Sequence, residues 1–260
     1  MNPMAKNTFF LFGYLFLLPT LVSAQSEVTV FVGGAMTKPA TEVGMTFDNG
    51  SDNTTIIESD TTGELQKRLA AGEKADLVIV TAPAMEMLQQ EQLVIASSRV
   101  DLALALIGVG IHPEGAAPDL STADTFKAAL LGARTVAYVS PAAGGTSGTY
   151  FEGLLESMGI SDAMKSKTVY QTQGSEVAQA VASGDAEFGI TFVSELLPNK
   201  GLIVAGTFPD EIQLPTIYAV AIATASPNKE GAQALLGMLA GAEGHAALMN
   251  IGLEPIASTN

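Results

Sequence analysis

The sequence predicts an α/β fold built on parallel, doubly wound sheets. Three observations carry this. Short β-branched and aliphatic runs recur along the chain, each ends in glycine or small polar residues, and a helical segment follows each ending. Strand, loop and helix in that repeated order give parallel strands with helices packed on the sheet. Ligands bind such sheets outside the carboxyl ends of the strands.

Val28 to Val32 is the first strand, ending in Gly33-Gly34-Ala35 before a helix near Lys38. Thr54 to Ile57 ends in Ser59-Asp-Thr-Thr-Gly63 and leads to a helix from Glu64 to Ala71. Asp76 to Val80 closes on Thr81-Ala-Pro83 and a Met-rich helix whose Met85 and Met87 are ordinary core filling. Leu102 to Val109 is one long extended run, followed by the turn-rich segment His112 to Pro118. Ser121-Thr-Ala-Asp124 caps a helix reaching Leu131. Strands follow at Thr135–Val139, Thr168–Gln171, Phe188–Phe192, Leu202–Ala205 and Tyr218–Ala223, with helices at Tyr150–Met158 and Gly174–Ser183. Glu230 to Met249 reads as one Ala/Leu-rich helix interrupted by glycines. The extended runs near Leu102–Val109 and Leu214–Ala223 imply two crossings between two lobes, with a cleft and a hinge.

Composition narrows the chemistry. Twelve basic residues stand against 27 acidic ones, a net charge of −15, which argues against nucleic acid and anionic membrane surfaces. Backbone dipoles can still seat an anion in an acidic protein. Cysteine is absent, which removes disulfides, thiol nucleophiles and Cys-based metal sites. Only His112 and His245 remain for a His-rich metal site, and they are far apart in sequence, so no metal or cofactor is expected. Residues 1–24 read as an export signal: Lys6, an apolar run from Phe9 to Leu18, and small residues Val22-Ser23-Ala24 for cleavage. The expected product is a periplasmic chain starting near Gln25, with no membrane insertion after cleavage. Its lobes are expected over 25–104 plus 216–260 and over 105–215.

The stretch Pro141-Ala-Ala-Gly-Gly-Thr-Ser-Gly-Thr-Tyr150 joins a strand to a helix through glycines and hydroxyl residues. A helix start offers unpaired N–H groups and partial positive charge, an anion seat. No Lys-Ser/Thr pair follows the glycines, so it is not a Walker loop. A plain turn would use the same residues.

From Val28 to about Pro255 the chain resembles periplasmic molybdate-binding proteins of the type II solute-binding fold. The resemblance rests on Phe31–Thr37, Thr61-Thr-Gly-Glu-Leu65, Ala75-Asp-Leu-Val-Ile79, Gly189-Ile-Thr-Phe192 and Gly252–Pro255. It implies two doubly wound lobes joined by two crossing strands with a ligand cleft between. It also implies an anion held by Ala35, where the family has a Ser, by Thr62, by backbone N–H groups near Ser147 and Ser175, and by Phe192, where the family has a Tyr. Two side-chain donors are thus replaced, which would cost about 1.5–3 kcal/mol each against a desolvated dianion. The segments Ser98–Leu102, Ala137–Gly148 and Ser194–Pro198 resemble a divergent branch that includes periplasmic aconitate isomerases.

That branch implies a small organic acid and an allylic proton shift, needing a carboxylate seat and a proton-transfer group. The ligand set is expected to be Gly34, Ala35, Thr62, Arg99, Thr146, Ser147, Gly148, Ser175 and Phe192. Arg99 is the preferred carboxylate clamp, because guanidinium binds carboxylates through two parallel hydrogen bonds, and a surface ion pair with Asp101 or Glu91 is its other reading. Lys38, Lys67 and Arg68 read as solvated. No catalytic residue stands out; Tyr150 and Asp60 are the candidates, while Glu64, Glu176 and Glu195 are assigned to capping. The other reading is a non-catalytic subunit that binds molybdate or a related oxyanion for an ABC permease.

Overall fold

The structure is a computed structural model describing residues 26–257. The export signal expected over 1–24 lies outside the described residues. Among those described, no helix is long and apolar enough to cross a membrane.

The first sheet begins with β1 (Ser26–Gly33), followed by α1 (Thr37–Gly50), β2 (Asn53–Asp60), α2 (Thr62–Ala70), β3 (Leu77–Thr81), α3 (Ala82–Gln90) and β4 (Val100–Ala105). The second half contains β5 (Ile107–Ile111), α4 (Ala123–Gly132), β6 (Val136–Val139), α5 (Thr146–Ser157) and α6 (Ser161–Met164). It continues with β7 (Thr168–Gln171), α7 (Gly174–Ala182), β8 (Phe188–Phe192), α8 (Val193–Leu196) and β9 (Ile203–Thr207). The chain then returns through β10 (Thr216–Ile222), α9 (Lys229–Leu239), α10 (Ala242–Met249) and β11 (Glu254–Pro255).

Strand order is β11-β4-β10-β3-β1-β2 in one sheet and β7-β6-β8-β5-β9 in the other. The expected parallel pairing holds for β2-β1-β3 and β7-β6-β8. Strands next to the crossings run the other way: β10 is antiparallel to β3 and β4, and β5 to β8 and β9. The single extended run expected at Leu102–Val109 is therefore two strands in two sheets, parted at Leu106. The Glu230–Met249 helix is likewise two, broken at Ala240-Gly241. The third difference bears on function: α5 starts at Thr146, four residues earlier than expected, so the glycine loop's last residues form the helix's first turn.

β1 shows why the elements sit where they do. Val28, Val30 and Val32 bury into one apolar cluster and Phe31 into another on the opposite face. A strand buried on both sides is what parallel pairing inside an α/β layer requires. Asp76, just before β3, is 1% exposed. Its carboxylate accepts from the Thr29 and Asn228 N–H groups and the Ser226 hydroxyl, tying β1 to the chain after β10. The largest apolar cluster is continuous through the crossing, from Val28 past Leu102 and Ile107 to Phe126 and Tyr138. Arg68, expected to face water, instead pairs with Glu58 and Glu73 and lies over the Phe31 ring, 4.2 Å from its centre.

The two crossings are tied by one side chain. Gln213, on the return path, accepts from the Ile107 N–H at 3.1 Å and donates to the Ile107 carbonyl at 2.9 Å. Its amide thus pairs with a backbone segment as a neighbouring strand would. The carbonyl keeps a second donor in the Phe208 N–H, but Ile107 is wholly buried and its N–H depends on Gln213. Gln213→Ala is expected to destabilise the protein by about 1–3 kcal/mol, the cost of a buried unsatisfied donor. Urea denaturation checks this; an unchanged midpoint and slope would show that water replaces the amide.

Candidate functional site

The carboxyl ends of β1, β2, β6, β7 and β8 all deliver helix or 3-10 starts to one cleft. Its inner chamber, open to solvent on one side, spans about 340 Å³ and is lined by Gly34, Asp60, Thr61 and Thr62 from the first half, and by Thr146, Ser147, Gln173, Gly174, Phe192 and Glu195 from the second. Tyr218 of β10 completes it. The halves touch here directly. The Thr61 hydroxyl donates to the Ala143 carbonyl at 2.5 Å, and the Gly63 N–H to the Gly144 carbonyl at 3.2 Å.

The first turn of α5 has the chemistry of an anion seat. Its start, Gly145, has no side-chain cap, and the N–H groups of Thr146, Ser147 and Gly148 have no protein acceptor among the described residues. α7 repeats the arrangement, with Gln173 at its start and uncapped N–H groups on Gly174 and Ser175. Two helix starts thus aim positive partial charge at the same space.

Opposite them sits a carboxyl group. Glu195 is the third residue of α8, where a side chain can reach back to the helix start, and it accepts from the Phe192 N–H. It also accepts from the Thr191 hydroxyl at 2.5 Å, and that hydroxyl lies 3.3 Å from the Ser147 hydroxyl. Gly34 and Gly174 face its two oxygens so closely that a Cβ on either would overlap them. Only glycine permits that approach. Part of the side chain still reaches the cleft, but the carboxyl is crowded by protein atoms, and desolvation pushes its pKa up to about 7. Its two hydrogen bonds pull the other way and do not offset the burial.

Tyr218 adds a hydroxyl. Its ring meets Phe192 edge-on with centres 5.8 Å apart, one ring from each sheet. Burial, reinforced by the charge of Glu195, pushes the phenol above its ordinary range, so it stays a neutral donor, while a hydrogen bond from Thr62 opposes the shift.

The sequence-derived residues divide. Gly34, Thr62, Thr146, Ser147, Phe192 and Asp60 line the inner chamber. Ser175 lies just outside it, on an adjoining outer chamber. Ala35 does not face the ligand space; it is 1% exposed within the core, and Gly34 takes its place on the wall. Gly148 packs behind the seat against Val139. A tyrosine does reach this wall, from Tyr218 packed edge-on against Phe192.

Two expected roles are redirected. Arg99 is no clamp here, because it lies off the cleft, with Asp101 at 2.9 Å, Gln89 at 3.3 Å and Glu86 at 3.8 Å around its guanidinium. Tyr150 is no base, because its hydroxyl donates to the Ile212 carbonyl at 2.8 Å and fastens α5 to the return crossing. Asp60 accepts from the Thr61 N–H at 2.7 Å, as a turn residue does. Capping accounts for Glu176, which takes the Thr172 N–H and hydroxyl, but only for part of Glu195. The repeated grammar of strand, loop and helix was the signal available for Glu195, since β8 ends at the same cleft as β1 and β6. Nothing in the sequence marks Tyr218, which reaches the site from an antiparallel strand.

A carboxyl whose pKa rises on folding stabilises the protein most when protonated. Stability is therefore full below pH about 4.5 and declines as pH rises through about 7. Relative to Glu195→Gln, the wild-type protein is expected to lose up to about 3 kcal/mol between pH 5 and pH 8. Parallel pH dependences of the two melting temperatures would show that Glu195 is solvated.

Comparison with known proteins gives a consistent picture. Residues 28–254 match the family described as bacterial extracellular solute-binding protein. A Pseudomonas protein named aconitate isomerase is 31% identical over 252 residues, covering 94% of this chain and 95% of its own. Among solved structures, the periplasmic molybdate-binding protein of Azotobacter vinelandii superposes with a TM-score of 0.70 at 17% identity, covering 87% of this chain and 98% of that one. The sulfate-binding protein of Mycobacterium tuberculosis gives 0.69 at 14% identity, covering 90% and 88%. These neighbours share the two-sheet architecture of the type II fold. The chain belongs to the bacterial extracellular solute-binding protein family.

Proposed function

We propose that this is a periplasmic isomerase that interconverts cis- and trans-aconitate by moving a proton along the allylic system. The single observation that carries the reading is Glu195, a desolvated carboxyl on the cleft wall, facing two helix starts. The substrate has three carboxylates on a three-carbon core with one double bond. Its carboxylates are held by the α5 and α7 N–H groups and by the hydroxyls of Thr62 and Tyr218. Glu195 takes a proton from the methylene carbon, the electron pair delocalises over the three core carbons and their carboxylates, and the same proton returns at the former vinylic carbon. Atoms and charge balance, and no cofactor is needed.

A base with pKa near the working pH is the efficient choice for such a transfer. The Thr191 and Ser147 hydroxyls hold its carboxyl in one orientation, and Tyr218 stays a neutral donor for the charge that builds on the substrate. The relative named aconitate isomerase supports the reading. The alternative, a transport subunit for molybdate or a related oxyanion, is favoured by the architecture shared with the Azotobacter protein. Against it, simple binding of an oxyanion leaves a proton-transfer group on the cleft wall, Glu195, without a task.

Incubation of the purified protein with cis-aconitate, followed by chromatography, is expected to yield the trans isomer. No conversion over hours overturns the proposal. Glu195→Gln is expected to lower turnover by about 10²–10⁴-fold. In the wild type kcat/KM should rise with pH through about 7, as Glu195 loses its proton and becomes a base. Thermal stabilisation by molybdate, but not by carboxylates, would favour transport.

A further inference from the structure

Beside the inner chamber lies a larger one of about 810 Å³, sharing Gly34, Gln173 and Glu195 with it. The two spaces meet at the Glu195 carboxyl. Three features of the outer chamber are unaccounted for by the packing. Lys38 lines it and makes no ion pair among the described residues. Ser194 lines it too; the residue is 3% exposed and its hydroxyl has no hydrogen-bond partner. Thr37 and Ser59 lie on the wall with their hydroxyls 2.5 Å apart. One hydroxyl of that pair donates to the other, which leaves one O–H free to donate outward.

Buried hydroxyls without partners are rare and costly. An ammonium, an orphaned hydroxyl and a spare O–H can all donate into one space, and Glu195, the carboxyl on its wall, pairs with neither Lys38 nor Ser194 among the described residues, so a ligand carboxylate would meet unpaired donors. The exposed N–H of Ser175, at the start of α7, adds another donor on the same wall.

We propose that the outer chamber is a second carboxylate subsite. It takes the remote carboxylate of a polycarboxylic acid whose other end sits on the α5 helix start, so that the ligand's central carbons pass Glu195. Lys38 supplies the countercharge and Ser194 a positioned donor. This deepens the isomerase reading and rests on it for the placement of the reacting carbons, but it makes a separate claim about recognition. The site selects acids with carboxylates at both ends over shorter or singly charged ones.

Calorimetry with two probes that cannot isomerise tests it: propane-1,2,3-tricarboxylate and propane-1,2-dicarboxylate, which lacks one terminal carboxylate. Wild-type protein is expected to bind the tricarboxylate about tenfold or more tightly, the scale of one charge-assisted contact. Lys38→Met should remove most of that preference, whereas Lys67→Met, on an outer face beside Glu64, should leave it intact. Ser194→Ala should raise the melting temperature of the free protein, since an orphaned hydroxyl is gone, and still weaken tricarboxylate binding. Equal affinity for the two probes, equal weakening of both by Lys38→Met, or no binding of either overturns the subsite. Turnover is read separately. A protein inactive on cis-aconitate that keeps a Lys38-dependent preference retains the subsite and loses the isomerase; an active one without that preference loses the subsite alone.

Discussion

The arrangement of this cleft depends on keeping one carboxyl group out of water. Glu195 reaches back over its own short helix, is gripped by Thr191 and the Phe192 N–H, and fills the gap between Gly34 and Gly174. Those two glycines come from different halves of the molecule. The carboxyl is therefore desolvated by the approach of the halves as much as by local folding. A group buried that way would lose proton affinity if the halves moved apart, because desolvation is what raises its pKa. Binding and protonation are thereby linked in one side chain.

The same closure explains the division of labour between side chains and backbone. The acidic chain brings little cationic charge to the cleft; Lys38 is the basic side chain on its chamber walls. The anion field comes instead from the uncapped starts of α5 and α7, whose N–H groups stay unpaired within the protein. Backbone dipoles are fixed in place by the fold, so they cost little reorganisation when a ligand arrives. Tyr218 and Phe192 form the floor, one ring from each sheet, and place a neutral hydroxyl where a charged group would have met Glu195 unfavourably.

Much of this was legible in the sequence, and the failures have physical causes. Alternating apolar strands and glycine-hydroxyl loops define the parallel β2-β1-β3 and β7-β6-β8 cores, because local pattern and global packing agree there. The crossings were harder to read. Leu102–Val109 is apolar throughout, and periodicity cannot tell one long strand from two that part at Leu106. Thr62, Thr146 and Ser147 are legible as chamber-wall residues because they sit at helix starts after strands, a position with its own chemical signature. Arg99 was misplaced because guanidinium chemistry suits a carboxylate equally well when the partner is Asp101 of the same chain. Glu195 was read as a cap, and it is one; that it is also enclosed follows from Gly34 and Gly174, far away in sequence. Tyr218 lies on an antiparallel strand, whose inward face no local pattern announces.

The contacts between the Thr61–Gly63 turn and the Ala143–Gly144 turn run from protein to protein. They join protein groups, one backbone N–H and the Thr61 hydroxyl, so their contribution to holding the halves together would be the same for every ligand. Discrimination between ligands then comes only from the remaining donors around the chambers. On the proposed function, release of a bound acid would also require both hydrogen bonds to part. Residence time in the cleft would then depend partly on two turns that do not recognise the ligand at all.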